Sequence, residues 1–104
     1  MKGESFPHRF VKFLICHVLF KQDHRFKTEQ HINNAICDVI DLDNFVIYEV
    51  ETNSNPSTLK RKLEDFYHPF IEDIIIVSLK NLKIKWGTLS EIRKQIEKYC
   101  GLIR

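Results

Sequence analysis

The sequence predicts an α/β fold: one mixed four-stranded sheet flanked by helices, in the order helix, three strands, helix, strand, helix. Three observations predict it. The run Asp73-Ile74-Ile75-Ile76-Val77-Ser78-Leu79 is apolar on both faces, as expected of an interior strand with helices above and below. Two shorter apolar runs, 35–40 and 45–51, are joined by the polar tetrapeptide Asp41-Leu42-Asp43-Asn44, the pattern of a hairpin. Helical periodicity with end signals appears before, between and after these runs.

Ser5 is placed to cap a first helix, with Pro7 in its opening turn, reaching Lys21. Its apolar positions are Phe10, Val11, Phe13, Leu14, Val18 and Leu19, a wide stripe suited to lying across a sheet. Residues 25–32 alternate loosely and read as a strand, and Asn33-Asn34 as a turn. Residues 35–40 and 45–51 are the second and third strands. After a polar loop, Asn55 caps a helix with Pro56 at its first position and Leu59, Leu63 and Phe66 as its core face, stopped by His68-Pro69. The strand 73–79 follows. Leu82, Ile84 and Trp86 alternate with lysines, as a short edge strand or an ordered loop. Thr88-x-x-Glu91 is a capping box opening a last helix, with Leu89, Ile92, Ile96 and Tyr99 on one face and Gly101 at its end. The third strand, the helix after it and the fourth strand make a β-α-β unit, hence a parallel pair with a right-handed crossover; the earlier strands join by short turns and are antiparallel.

A chain of 104 residues, 43 % apolar and 29 % charged, is expected to form one domain, residues 1–104, and argues against disorder. The net charge of +2 makes no case for nucleic acid by itself, but basic residues flank an acidic centre, a distribution suited to phosphate backbones and equally to ordinary solvated faces. Cys16, Cys37 and Cys100 are odd in number and lack a C-x-x-C spacing, which speaks against a disulfide framework or zinc site and for a reducing, cytoplasmic compartment. The apolar run 10–20 is interrupted by Lys12 and His17, so no membrane span is expected. The histidines, at 8, 17, 24, 31 and 68, show no metal-ligand spacing and read as surface or capping groups.

The chemistry concentrates in the hairpin. Glu49 and Glu51, two apart on a strand, project from one face, and pairing of the two strands brings Asp38 beside Glu49. Clustered carboxylates of this kind suit a hard divalent cation. The structural alternative is that Asp38 ends a strand near a turn and that Glu49 and Glu51 are solvated.

With Asp38, then Glu49-Val50-Glu51-Thr52, in a helix, three strands, helix, strand order, the sequence resembles the PD-(D/E)XK nuclease superfamily. Gly3-Glu4-Ser5-x-x-His8 before the first helix body, and Leu59-x-x-Lys62-Leu63-x-x-Phe66-Tyr67 followed by 73–77, are similar to the segments around that motif. The resemblance spans roughly residues 3–80, by pattern rather than close identity. It implies a restriction-endonuclease-like αβββαβ core with an extra C-terminal helix. It also implies Mg²⁺- or Mn²⁺-dependent endonuclease activity on phosphodiester bonds, with DNA the expected nucleic-acid partner and a structure-selective or resolvase-like role in view. By the same resemblance Asp38 and Glu49 are metal ligands, and Glu4, or else Glu29, completes the site. Glu51 stands where the family has lysine; it would serve as general base or ligand to a second metal, while Lys62, with Lys60 second, supplies the positive charge. His8, Asn53 and Lys60 would contact nucleic acid, Ser54 lies in the same loop as Asn53, and a homodimer would present two sites to two strands. The missing lysine supports a second reading, a catalytically silent nuclease-fold protein binding nucleic acid or a protein partner. A third is an unrelated α/β interaction domain whose acids are structural.

Overall fold

A computed structural model describes residues 5–33, 35–52, 55–79 and 89–99, with 89–92 and 99 as backbone. Helix α1, Phe6–Lys21, starts where Ser5 Oγ accepts the His8 N–H at 3.3 Å, with Pro7 in the first turn. It buries Val11, Leu14, Ile15, Val18 and Leu19 against the sheet. Phe13, expected in that stripe, is exposed. It lies two residues from both Val11 and Ile15, and so on the opposite side of a helix with 3.6 residues per turn.

Strands β1 (Phe26–Ile32), β2 (Ala35–Asp41), β3 (Val46–Glu51) and β4 (Asp73–Ser78) form one sheet in the order β1-β2-β3-β4. β1 and β2 pair antiparallel from Phe26↔Asp41 to Ile32↔Ala35, and β2 and β3 antiparallel from Val39↔Tyr48 to Asp41↔Val46. β3 and β4 run parallel over their whole length, Val46↔Asp73 to Glu51↔Ser78, joined through α2, Pro56–Asp65. Asn55 caps α2, its Oδ1 accepting from Ser57 N at 3.0 Å. Helix α3, Leu89–Tyr99, packs on α1 and buries Ile96. The chain is thus α/β, with a mixed four-stranded sheet flanked by helices, and no helix of the described residues is long and apolar enough to cross a membrane.

Apolar side chains fill both sides of the sheet. Under α1 lie Val39, Tyr48, Val50 and Val77, with Phe26 and Ile75 at the margin. On the other side Cys37, Ile40, Ile47 and Phe66 pack together, with Ile32, Ala35 and Ile74 beside them. Two expectations need correction. β4 has a strand partner on one side alone among the described residues. Its apolar run reflects burial above and below the sheet, where Ile75 and Val77 face α1 and Ile74 faces away, rather than an interior position between strands. And α2 does not bury the core face expected of it: none of its residues is fully buried, Leu63 is exposed, and of the three expected side chains Phe66, just past the helix end, is the buried one. The expected strand or loop at 82–86, the capping box at Thr88 and the stop at Gly101 lie outside the described residues.

Candidate active site

β2 and β3 stop pairing through their main chains at Val39↔Tyr48. One residue further, side chains take over. Asp38 N donates to Glu49 Oε2 at 2.5 Å, and Val50 N donates to Asp38 Oδ2 at 2.8 Å. Each carboxylate fills the place of a ladder carbonyl, which satisfies two main-chain donors and fixes both acids side by side.

The cause lies in the alternation of β1 and β2. Phe26 and Val39 pack under α1, whereas Ile32, Ala35 and Cys37 pack on the opposite side. Both strands therefore change sides between these residues. The bracketing pairs Thr28↔Val39 and Gln30↔Cys37 place the change where Glu29 faces Asp38. Glu29 has φ 56°, a left-handed conformation that is disfavoured for a residue with a Cβ. It is paired with Lys12 of α1. Regular alternation from Val39 would send residue 37, not 38, toward α1. The irregularity leaves Asp38 Oδ2 3.4 Å from His8 Nε2 of that helix.

Glu49 and Glu51 share the face of Ile47, away from α1. Lys62 reaches them from α2: its Nζ is 2.5 Å from Glu51 Oε2 and 3.4 Å from Glu49 Oε1. Burial, and then the charge of Asp38, push the Glu49 carboxyl up to about 7, against the opposing pull of the Asp38 N–H and Lys62. Burial works against the charge on Lys62, yet the hydrogen bond to Glu51 and the fields of Glu49, Glu51 and Asp38 hold its pKa above the ordinary lysine value. Burial and the nearby Glu49 charge push the Cys37 thiol up to about 11, so it behaves as a packed group rather than a nucleophile.

Of the residues singled out in the sequence, the fold brings together Asp38, Glu49, Glu51, Lys62 and His8. Glu29 is drawn to Lys12, and Lys60 is exposed on α2. Glu4, Asn53 and Ser54 lie outside the described residues. One residue went unnoticed. Ser78 is in register with Glu51 and, two steps of two from Ile74, shares its face. Its hydroxyl is buried without a hydrogen-bond partner among the described residues. A parallel pairing of 46–51 with 73–78, taken residue by residue, is the signal that finds it.

The site can hold two adjacent carboxylates with one cation across them. Among the described residues no three acid, imidazole or thiol groups already converge as a metal cage. Mg²⁺ does not require one: it is commonly held by one or two carboxylates, with water and substrate phosphate completing its shell. The hard oxygen donors Asp38 and Glu49 fit that pattern. Burial, and then the charge of Asp38, raise the Glu49 pKa, and a divalent cation between the two acids would relieve the second of these.

The chain matches no family model, no curated protein and no solved structure. Fold and site therefore define a class by geometry alone: an α/β protein with an acid–lysine cluster where two central strands part.

Proposed function

We propose that this chain is a restriction-endonuclease-like protein of the PD-(D/E)XK type that hydrolyses phosphodiester bonds in DNA with Mg²⁺ or Mn²⁺. The observation that carries the proposal is the convergence of Asp38, Glu49, Glu51 and Lys62 at the point where β2 and β3 separate. Asp38 and Glu49 are the metal ligands in this reading. The ion, when bound, lowers the barrier to attack by polarising a phosphoryl oxygen and easing deprotonation of water. The chain's own residues do the rest. Asp38 is held by Val50 N and His8, so its carboxylate is oriented before substrate arrives. Lys62 supplies from α2 the positive charge that Glu51, at the motif-lysine position, cannot, and it offsets charge developing on the phosphoryl oxygens. Glu51 accepts the proton of the attacking water.

The test is incubation of supercoiled and branched DNA with Mg²⁺ or Mn²⁺. Nicking or cutting by the wild type is expected, with Glu49→Ala reduced to background while its circular dichroism stays that of a folded protein. Cutting that survives in Glu49→Ala would point to a contaminant and sink the proposal. A second reading has its own observation: Lys62 is already engaged by two carboxylates, so the cluster is charge-compensated without a metal. DNA binding that ignores metal, with no cutting, would favour that silent nuclease-fold protein.

A further inference from the structure

Buried hydroxyls normally have a partner. Ser78 is 7 % exposed, and its Oγ is buried without a hydrogen-bond partner among the described residues. Ile74 and Ile76 precede it on the same face of β4, so a small apolar side chain would suit the position and would avoid the unpaired group. A buried donor kept where an alanine would be more stable points to a use outside the resting fold.

Beside the hydroxyl is Glu51. The two residues are in register on parallel strands, so their side chains share a face. Leu79 N donates to Glu51 O at 2.9 Å, so the ladder still holds at this level. Paired strands lie about 4.8 Å apart, a gap that a seryl Oγ and a glutamate carboxylate close by rotation about their side-chain bonds. Glu51 Oε2 is engaged in the resting protein, with Lys62 Nζ 2.5 Å away. Lys62 is also 3.4 Å from Glu49 Oε1, and its side chain is 26 % exposed, so it can swing toward a bound substrate on its flexible stem.

We infer that Ser78 is a positioning residue for Glu51: as Lys62 turns to the phosphoryl group, the Ser78 hydroxyl donates to the Glu51 oxygen that Lys62 gives up and keeps the other oxygen aimed at the attacking water. The inference rests on the nuclease reading above and adds a residue to it. In the step concerned, the water oxygen bonds to phosphorus and the water proton passes to Glu51. The bond from phosphorus to the leaving oxygen breaks, and that oxygen takes a proton from solvent. A carboxylate that lost its lysine at this moment would lose its orientation as well. A donor already in place on the next strand prevents that with no movement of the sheet. The exchange also gives the Ser78 hydroxyl the partner it lacks at rest.

Steady-state cleavage of supercoiled DNA with Mg²⁺, and thermal melts, test it on Ser78→Ala and Ser78→Thr. Ser78→Ala should lower kcat by about ten-fold or more, the worth of one hydrogen bond to a charged group, with KM for DNA little changed. Ser78→Thr keeps the hydroxyl and should recover most of the loss. In a Glu51→Gln background Ser78→Ala should add no further loss, because the two side chains act as one unit. Ser78→Ala should also melt no lower than wild type, since it removes an unpaired group, and this readout needs no activity. A wild type that cuts, with Ser78→Ala cutting equally fast, overturns the inference and leaves the nuclease reading standing. Additive losses with Glu51→Gln overturn it in the same way. So does a Ser78→Ala that melts well below wild type, which would give the hydroxyl a structural partner at rest. A wild type that cuts no DNA removes the nuclease reading and this inference with it.

Discussion

Asp41 and Glu49 sit on neighbouring strands, at opposite ends of the β2–β3 pair, and both are almost completely buried, at 1 % and 3 % exposure. Their surroundings differ. Asp41 is enclosed by donors. Its Oδ1 accepts from Asp43 N at 2.9 Å and Asn44 N at 3.2 Å; its Oδ2 accepts from Asn44 Nδ2 at 3.1 Å and lies 3.0 Å from His24 Nδ1. It is the acceptor around which the hairpin turn closes, an Asx arrangement made with residues two and three further along. Glu49 also receives a main-chain N–H and a lysine, but it has another carboxylate next to it, and its pKa is driven up to about 7. Burial alone therefore does not separate Asp41 from the candidate site acid Glu49. A like charge beside it, at a place where the sheet ladder is interrupted, does.

The sharpest way to break this comparison is to remove each acid in turn. Asp41→Ala leaves the Asp43 and Asn44 amides without their acceptor and should destabilise the fold by about 2–4 kcal/mol, lowering the melting temperature by roughly 10–20 °C. Glu49→Gln keeps the shape of the side chain while removing a charge held against its tendency. It should melt no lower than wild type at pH 8. Thermal melts of the two variants side by side check this; equal losses would place both acids in the same structural category.

A pH series sharpens the same contrast. The folded chain holds the Glu49 proton up to about 7, whereas in the unfolded chain it is released near 4.5. Between these values the folded state binds more protons, so stability should fall as pH rises from about 4.5 through 7 and then level off. The whole fall from this group is on the order of 3 kcal/mol, and Glu49→Gln should flatten it. Mg²⁺ should recover part of the lost stability above pH 7, because binding to the folded state alone stabilises it by mass action. A wild-type curve that rises over this interval, with Glu49→Gln following it, would mean that neither burial nor the charge of Asp38 holds the proton on Glu49.

The order of elements was legible because each signal for it is local: the caps Ser5 and Asn55, the prolines Pro7 and Pro56, and the polar turn between β2 and β3. The pairing of Glu49 with Glu51 was legible from period-two alternation, and the nearness of Asp38 to Glu49 from the hairpin that pairs their strands. The reach of Lys62 was likewise readable from its place on the helix after β3. What was not legible depends on pairing across strands. The change of side at Glu29 and Asp38 is a property of two strands in register, and nothing in the run 26–32 announces a left-handed residue at Glu29. The pairing of Glu29 with Lys12, and the position of Ser78 beside Glu51, follow from the same kind of long-range register. Phe13 was misassigned because α1 is apolar on both sides, so composition could not say which side meets the sheet.

The smallest effect belongs to the exposed partner of Asp41 in the same turn. Asp43 accepts from Arg25 N at 2.6 Å and from the Arg25 guanidinium at 2.9 and 3.0 Å, tying the start of β1 to the hairpin. The Arg25 N–H first, and then the guanidinium hydrogen bonds, hold its carboxyl below the usual aspartate range. For a lowered acid the sign is the reverse of Glu49: the stabilisation is present above the unfolded value near 3.8 and is lost as pH falls through the depressed folded value. Because the pair is solvent-exposed it is screened by salt and its contribution is small. Asp43→Asn should therefore melt slightly below wild type at neutral pH and low salt, and the two curves should converge both at high salt and as the pH falls below 3.8. A gap that persists in acid would mean that Asp43 works through the geometry of the turn rather than through its charge, and so acts in the same way as Asp41.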